Sequence, residues 1–211
     1  MSTPFDTPDW RGMSQGERDL GLNNGVHVPA SAELVAGWDR RSAGMRSKYS
    51  GHLDLRYGTR ERNRIDFFKA ADNAPTLLFI HGGYWQTRAK ETFALFAAGP
   101  MAHGINVALA GYTLAPDASL DDIVAEIHAA IDFLAEQLPG LGAAAGGIVV
   151  SGWSAGGHLT SMALSHPKVR AGMAISAFST LNRSVTATST QNWGWTRQRR
   201  AAIRRWRKPA A

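Results

Sequence analysis

Residues 146–159 read Gly-Gly-Ile-Val-Val-Ser-Gly-Trp-Ser-Ala-Gly-Gly-His-Leu. Ile148, Val149, Val150 and the small Ser151 run straight into Gly152-Trp153-Ser154-Ala155-Gly156, and small residues fit to open a helix follow. This is the order of a strand, a tight turn carrying a serine, and a helix. The turn is expected to be strained and crowded, so that a Cβ at Gly152 or Gly156 would collide with neighbouring backbone. Such a turn leaves the Ser154 hydroxyl exposed above the sheet edge. The N-terminal N–H groups of the following helix point at the same spot and favour negative charge there. Five residues alone are a weak signal, and the surroundings decide what they mean.

Working outward, strands alternate with helices. Thr76 to Ile80 is a continuous apolar run, as expected of a strand buried on both faces of a mostly parallel sheet. It ends on His81-Gly82-Gly83-Tyr84-Trp85, and a helix is predicted from Ala89 to His103 with Phe93, Phe96 and Ala97 inward. Asn106 to Ala110 is the next strand. Ser119 opens the clearest helix, with Asp121, Asp122 and Glu126 near its start and Ile123, Ile127, Ile131 and Leu134 as its apolar stripe. Val169 to Ala177 gives a last strand after the serine turn. Upstream, Leu34, Val35, Trp38 and Met45 recur at helical spacing between Ser31 and Lys48, and Leu53–Tyr57 and Arg64–Lys69 read as two short strands joined by a polar turn. Residues 1–30 are polar and weakly patterned, and are expected to form an arm. The alternation predicts an α/β architecture, a mostly parallel sheet flanked by helices with right-handed crossovers.

The 211 residues suit one well-filled domain, and a hydrophobic content of 44% is ordinary for a globular chain. With no cysteine there is neither a disulfide framework nor a thiolate metal site. No secretory signal pattern and no apolar run of membrane-spanning length is present, so a soluble, cytoplasmic protein is expected. The formal net charge of +6 is not spread evenly: residues 178–211 hold eight Lys or Arg and no acid, while residues 1–177 hold 15 basic and 17 acidic residues. The expected organisation is therefore an arm at 1–30, a domain at 31–177 and a basic tail at 178–211.

A serine that attacks a carbonyl creates an oxyanion, which needs preorganised N–H donors. The Gly82-Gly83 pair after the first buried strand can supply them, because without side chains its backbone approaches a substrate closely. The N–H of Ala155, next to the serine, is the other expected donor. Both loops fall at strand ends, in the order that the arrangement requires.

The segments HGGYWQ at 81–86, Tyr57-Gly58 with Asp66-Phe67-Phe68, Tyr112-Thr113-Leu114-Ala115-Pro116 and SGWSAGGHL at 151–159 resemble the α/β-hydrolase fold, and within it the kynurenine formamidase-like branch. The resemblance covers residues 31–176, about the first two-thirds of a typical member. It implies Ser154 as nucleophile, Gly82, Gly83 and Ala155 as the oxyanion hole, and Tyr84 and Trp85 flanking an aromatic substrate. The implied reaction is hydrolysis of aryl formamides such as N-formylkynurenine, or of small acyl esters, with no cofactor and no metal. A homo-oligomer is compatible with it, and a membrane partner is not implied.

The pattern then breaks. In this fold the triad runs Ser, then Asp or Glu, then His, yet no Asp or Glu follows Glu136. The only later histidines are His158 and His166. His158 lies one helical turn below Ser154 and is read as structural, as is His81, and His166 before Pro167 is expected to cap a helix or face solvent. Beyond Ala177 the chain turns to Thr, Ser, Trp and Arg, which reads as a truncation or a shifted reading frame followed by a disordered, non-native tail. Activity is accordingly expected to be impaired. Two other readings are a non-catalytic remnant and nucleic-acid binding through the tail, where Arg197–Lys208 holds seven cations in twelve residues.

Overall fold

The computed structural model describes residues 12–177. They fall into two compact units, one containing the described residues up to Pro29 and the other running from Ala30 onward. The expectations placed on the 178–211 tail lie outside the described residues.

The first unit holds two short helices, α1 (Gln15–Leu22) and α2 (Asn24–His27), where the weak patterning predicted only an arm. The overlooked signal is local. Ser14 accepts from the Glu17 N–H while the Glu17 carboxylate accepts from the Ser14 N–H, a capping box that satisfies two orphan donors reciprocally.

The second unit contains α3 (Ser31–Lys48), β1 (Leu55–Arg56), β2 (Arg64–Phe68), β3 (Thr76–Ile80), β4 (Asn106–Ala110), α5 (Leu120–Gln137), β5 (Ile148–Trp153), α6 (Ala155–Ala163) and β6 (Val169–Ile175). A 3₁₀ helix at Lys90–Ala97 runs into α4 (Ala98–Ala102), where a single helix was expected. The sheet order is β1-β2-β4-β3-β5-β6, antiparallel across β1, β2 and β4 and parallel from β4 to β6. The four parallel strands are joined by helical crossovers, as the sequence alternation requires.

The pleat sorts side chains to two faces. Phe79, Val107 and Leu109 join Phe68, Phe93, Ala94 and Ala97 in a core that Trp38 and Met45 of α3 pack against. Ser42 ties α3 to the 3₁₀ helix, donating to the Thr92 carbonyl at 2.8 Å and accepting from the Leu95 N–H at 2.9 Å. Phe96 is not inward as predicted. It is 39% exposed on the rim, although it stacks on Phe79 at 5.7 Å. The opposite face, with Leu78 and Val150, is the one against which α6 packs, beside α5. Ser119 caps α5 with Asp122 as its reciprocal partner, and Ile123, Ile127, Ile131 and Leu134 are buried.

His166 is buried rather than solvent-facing. Its Nδ1 accepts from the Lys168 N–H at 3.3 Å, its Nε2 lies 3.4 Å from Asp132, and its ring meets that of His128 at 5.2 Å. At the sheet edge the burial pattern reverses: from Arg170 to Ile175 every residue of β6 is exposed, including Met173 at 58%. No strand among the described residues pairs with its outer edge.

Candidate functional site

Between β5 and α6, Ser154 adopts φ 56° and ψ −115°, a left-handed φ that costs a non-glycine residue conformational energy. The surrounding glycines explain how the turn survives. A Cβ at Gly152 would fall within 3.0 Å of the Gly156 and Ile80 carbonyl oxygens, and one at Gly156 within 3.0 Å of the Ile80 and His81 carbonyl oxygens. Strand, turn and helix therefore approach β3 more closely than any side chain allows. The Ser154 N–H donates to the Ile175 carbonyl at 2.9 Å, and its own carbonyl accepts from the His158 N–H at 3.1 Å. The Ser154 hydroxyl is half-buried and no described group hydrogen-bonds it.

The loop after β3 faces this turn. A Cβ at Gly82 would lie 2.7 Å from the Trp153 carbonyl oxygen and 3.4 Å from Ser154 Cβ, so Gly82 is in direct apposition to the serine. Gly83, Tyr84 and Trp85 are all left-handed, at φ 115°, 59° and 58°. Three such residues in succession reverse the chain so that the Gly83 carbonyl accepts from the Gln86 N–H, the Thr87 N–H and the Thr87 hydroxyl. The N–H groups of Gly82 and Gly83 donate to no described group. At the other side Ala155 opens α6, where the first helical N–H groups lack intrahelical acceptors.

The aromatic residues divide. Trp85 is 1% exposed and meets His158 edge-on at 5.2 Å, so its indole supports the loop from beneath. Tyr84 is half-buried at the surface of the same loop. His81 is wholly enclosed, stacked on Tyr112 at 4.2 Å, with Nδ1 2.7 Å from the Gly82 carbonyl. Burial pushes its pKa down to about 3, and burial likewise takes His158 down to about 4, so both imidazoles are neutral at pH 7. Burial pushes the Tyr112 phenol up, and its hydroxyl donates to the His81 carbonyl at 3.0 Å.

The loop's far end is held by a cluster of charges of which the sequence motifs named only Asp66. Lys90, 3% exposed, donates to Asp54, Asp66 and Glu91, each at 2.7 Å, and Arg46 donates to Asp66 at 2.8 Å and to Asp54 at 2.9 Å. Burial alone would lower the Lys90 pKa, but its three carboxylate partners outweigh burial and raise it. Burial would raise Asp54 and Glu91, and the bonds from Lys90 instead hold both below the ordinary carboxylate range. Arg62 donates from Nε to the Tyr112 carbonyl at 2.9 Å and from Nη2 to the Arg88 carbonyl, joining the β1–β2 turn to two loops. Apart from the neighbouring Lys90–Glu91 pair and the Arg46–Asp54 pair, these bonds join residues 20 to 50 positions apart, so no local spacing announced them.

Comparison with known proteins places the fold among hydrolases. The profile of the BD-FAE family matches residues 67–191. A kynurenine formamidase from Danio rerio is 27% identical over 171 residues, covering 74% of this chain and 55% of the relative. A probable isoprenylcysteine α-carbonyl methylesterase from Oryza sativa subsp. japonica is 32% identical over 111 residues, covering 51% of this chain and 27% of its own length. The chain thus spans about half or less of the curated relatives it matches. Among solved structures, a candidate thioesterase from Silicibacter sp. TM1040 superposes with a TM-score of 0.80 at 26% identity, over 89% of this chain and 73% of that one. The chain therefore has an α/β-hydrolase fold similar to that of kynurenine formamidases and esterases, and it belongs to the BD-FAE family.

Proposed function

We propose that this chain carries the nucleophile half of a serine hydrolase that acts on aryl formamides. The observation that supports this most is the left-handed Ser154 turn, held against Gly82 by glycines that tolerate no Cβ. In the proposed reaction the Ser154 hydroxyl attacks the formyl carbonyl, and the N–H groups of Gly82, Gly83 and Ala155 hold the oxyanion. Collapse of the tetrahedral intermediate expels the arylamine, and water then releases formate from the formyl-enzyme. Tyr84 at the loop surface flanks the aryl ring in this reading, and Trp85 backs the loop.

A general base must take the serine proton and return it to the leaving amine. Among the described residues no histidine or carboxylate bonds the Ser154 hydroxyl, and neutral His158 is turned into the Trp85 contact. Turnover by this chain is therefore impaired. Loss of a triad base leaves roughly 10³–10⁴-fold acceleration over water from the oxyanion hole and binding alone. A carboxylesterase is the second reading, favoured by the methylesterase relative.

Parallel assays with N-formylkynurenine and p-nitrophenyl acetate, on the chain and on Ser154→Ala, test the proposal. Equal, low residual rates in both proteins are expected. High activity lost in Ser154→Ala would retain the nucleophile and overturn the impairment, whereas high activity that survives it would overturn the nucleophile. The better substrate separates formamidase from esterase.

A further inference from the structure

Where β2 and β4 meet the segment after β3, Glu61, Arg62, Arg64, Lys90, Glu91 and Gly111 line a cleft of about 310 Å³. Gly152, Ile80, Ala110 and Ile65 lie in register across the sheet. The cleft therefore opens at the same sheet end as Ser154, two to three strands over from β5, which is on the order of 10–15 Å. Gly111 keeps its floor open: a Cβ there would come 2.6 Å from the Arg62 carbonyl oxygen and 3.6 Å from Lys90 Cδ.

The polar groups of this cleft are unevenly committed. Lys90 spends all three N–H groups on Asp54, Asp66 and Glu91, and the second oxygen of Asp54 goes to Arg46. Arg64 is anchored by Nε on the Glu61 carbonyl at 3.1 Å, and Arg62 by Nε and Nη2 on the Tyr112 and Arg88 carbonyls. What stays unpaired among the described residues is Nη1 of Arg62, both Nη atoms of Arg64, the Glu61 carboxylate and one Glu91 oxygen. Two anchored guanidiniums thus stand beside two carboxylates with unused oxygens, around a small polar space.

We propose that this cleft binds a small zwitterion, an α-amino acid, with its carboxylate on Arg62 and Arg64 and its ammonium on Glu61 and Glu91. Guanidiniums already fixed along one edge lose little freedom when a planar carboxylate docks. The lining carries equal numbers of cations and anions, Asp54 included, so a ligand of one charge leaves the other set unmatched. Through Arg62 the ligand also reaches the carbonyl of Arg88, two residues before the Lys90 anchor. The site stands apart from Ser154 and does not depend on the hydrolase reading.

Titration of the whole chain with L-alanine, followed by NMR, tests the proposal, with acetate and ethylammonium as single-charge probes. L-Alanine is expected to saturate and to bind about tenfold more tightly than either control, the scale of one charge-assisted contact. Arg64→Gln and Glu61→Gln are each expected to weaken it about fivefold, since partly exposed ion pairs contribute modestly. Ser154→Ala leaves it unchanged. Acetate binding as tightly as L-alanine, absence of saturation, or indifference to both substitutions would overturn the site. If Arg64→Gln unfolds the chain, the exposed Glu61→Gln decides alone.

Discussion

Ser154 sits at the start of a helix whose first N–H groups lack partners, and this has a consequence that needs no turnover to observe. Because the chain contains no cysteine, Ser154→Cys would create a single thiol at the turn. The helix N-terminus stabilises a thiolate, so its alkylation by iodoacetamide should show a midpoint below the ordinary value of about 8.5. A midpoint at or above that value would mean the N–H groups of α6 do not act on this atom. The residue-level features were also the most legible ones. Gly152, Ser154 and Gly156 could be read from spacing because each answers a local demand: a strained apex and two close backbone approaches. Arg62 and Lys90 could not, because the bonds that tie them to the sheet and loops reach 24 to 50 residues along the chain.

At the scale of elements, the loop between β3 and the 3₁₀ helix is pinned at one end by the sheet and at the other by Lys90. Asp66 is fully buried and depends on Lys90 and Arg46 for its charge balance. Lys90→Met should therefore cost about 3–5 kcal/mol at pH 7, the usual result of stranding a buried charge. The double variant with Asp66→Asn should lose clearly less than the two single losses combined, as measured by urea unfolding. In acid the sign is fixed by Asp54 and Glu91, whose carboxyls are depressed in the fold. Their contribution is present above the ordinary values of 3.8 and 4.5 and is lost as pH falls through the lower folded values. Most elements were legible because their periodicities are strong, as in the Ile123–Leu134 stripe of α5. The misses were the arm helices α1 and α2, the first cued only by the Ser14–Glu17 cap, and the Lys90–Ala102 segment, where hydrophobic spacing does not distinguish a 3₁₀ from an α-helical turn.

At the scale of the molecule, two histidines inside one folded unit set a pH limit. His81 and His158 titrate near 3 and near 4 in the fold against an ordinary 6.5, so the unfolded chain binds their protons first. Stability is then complete above about pH 6.5 and declines as pH falls toward 4. Between pH 6 and pH 5 the loss should be about 2 kcal/mol, and His158→Gln should remove roughly half of it. Urea unfolding at the two pH values checks both statements. The open strand makes a separate prediction. Exposed apolar edges invite pairing with other chains, and a lysine on the edge blocks it. Met173→Lys should accordingly lower the concentration-dependent light scattering of the purified chain; unchanged scattering would show that association does not run through β6.

One hydrogen bond links these scales. The Ser154 N–H is held by the Ile175 carbonyl, at the last residue of the exposed strand. Edge strands open locally at less cost than central ones. Each fraying of β6 therefore releases the serine's amide while Gly152, two residues earlier, stays locked in register with Ile80. The reactive residue thus lies on the boundary between the sheet interior and an exposed edge strand, and its precision is governed by whatever holds that strand's end in place.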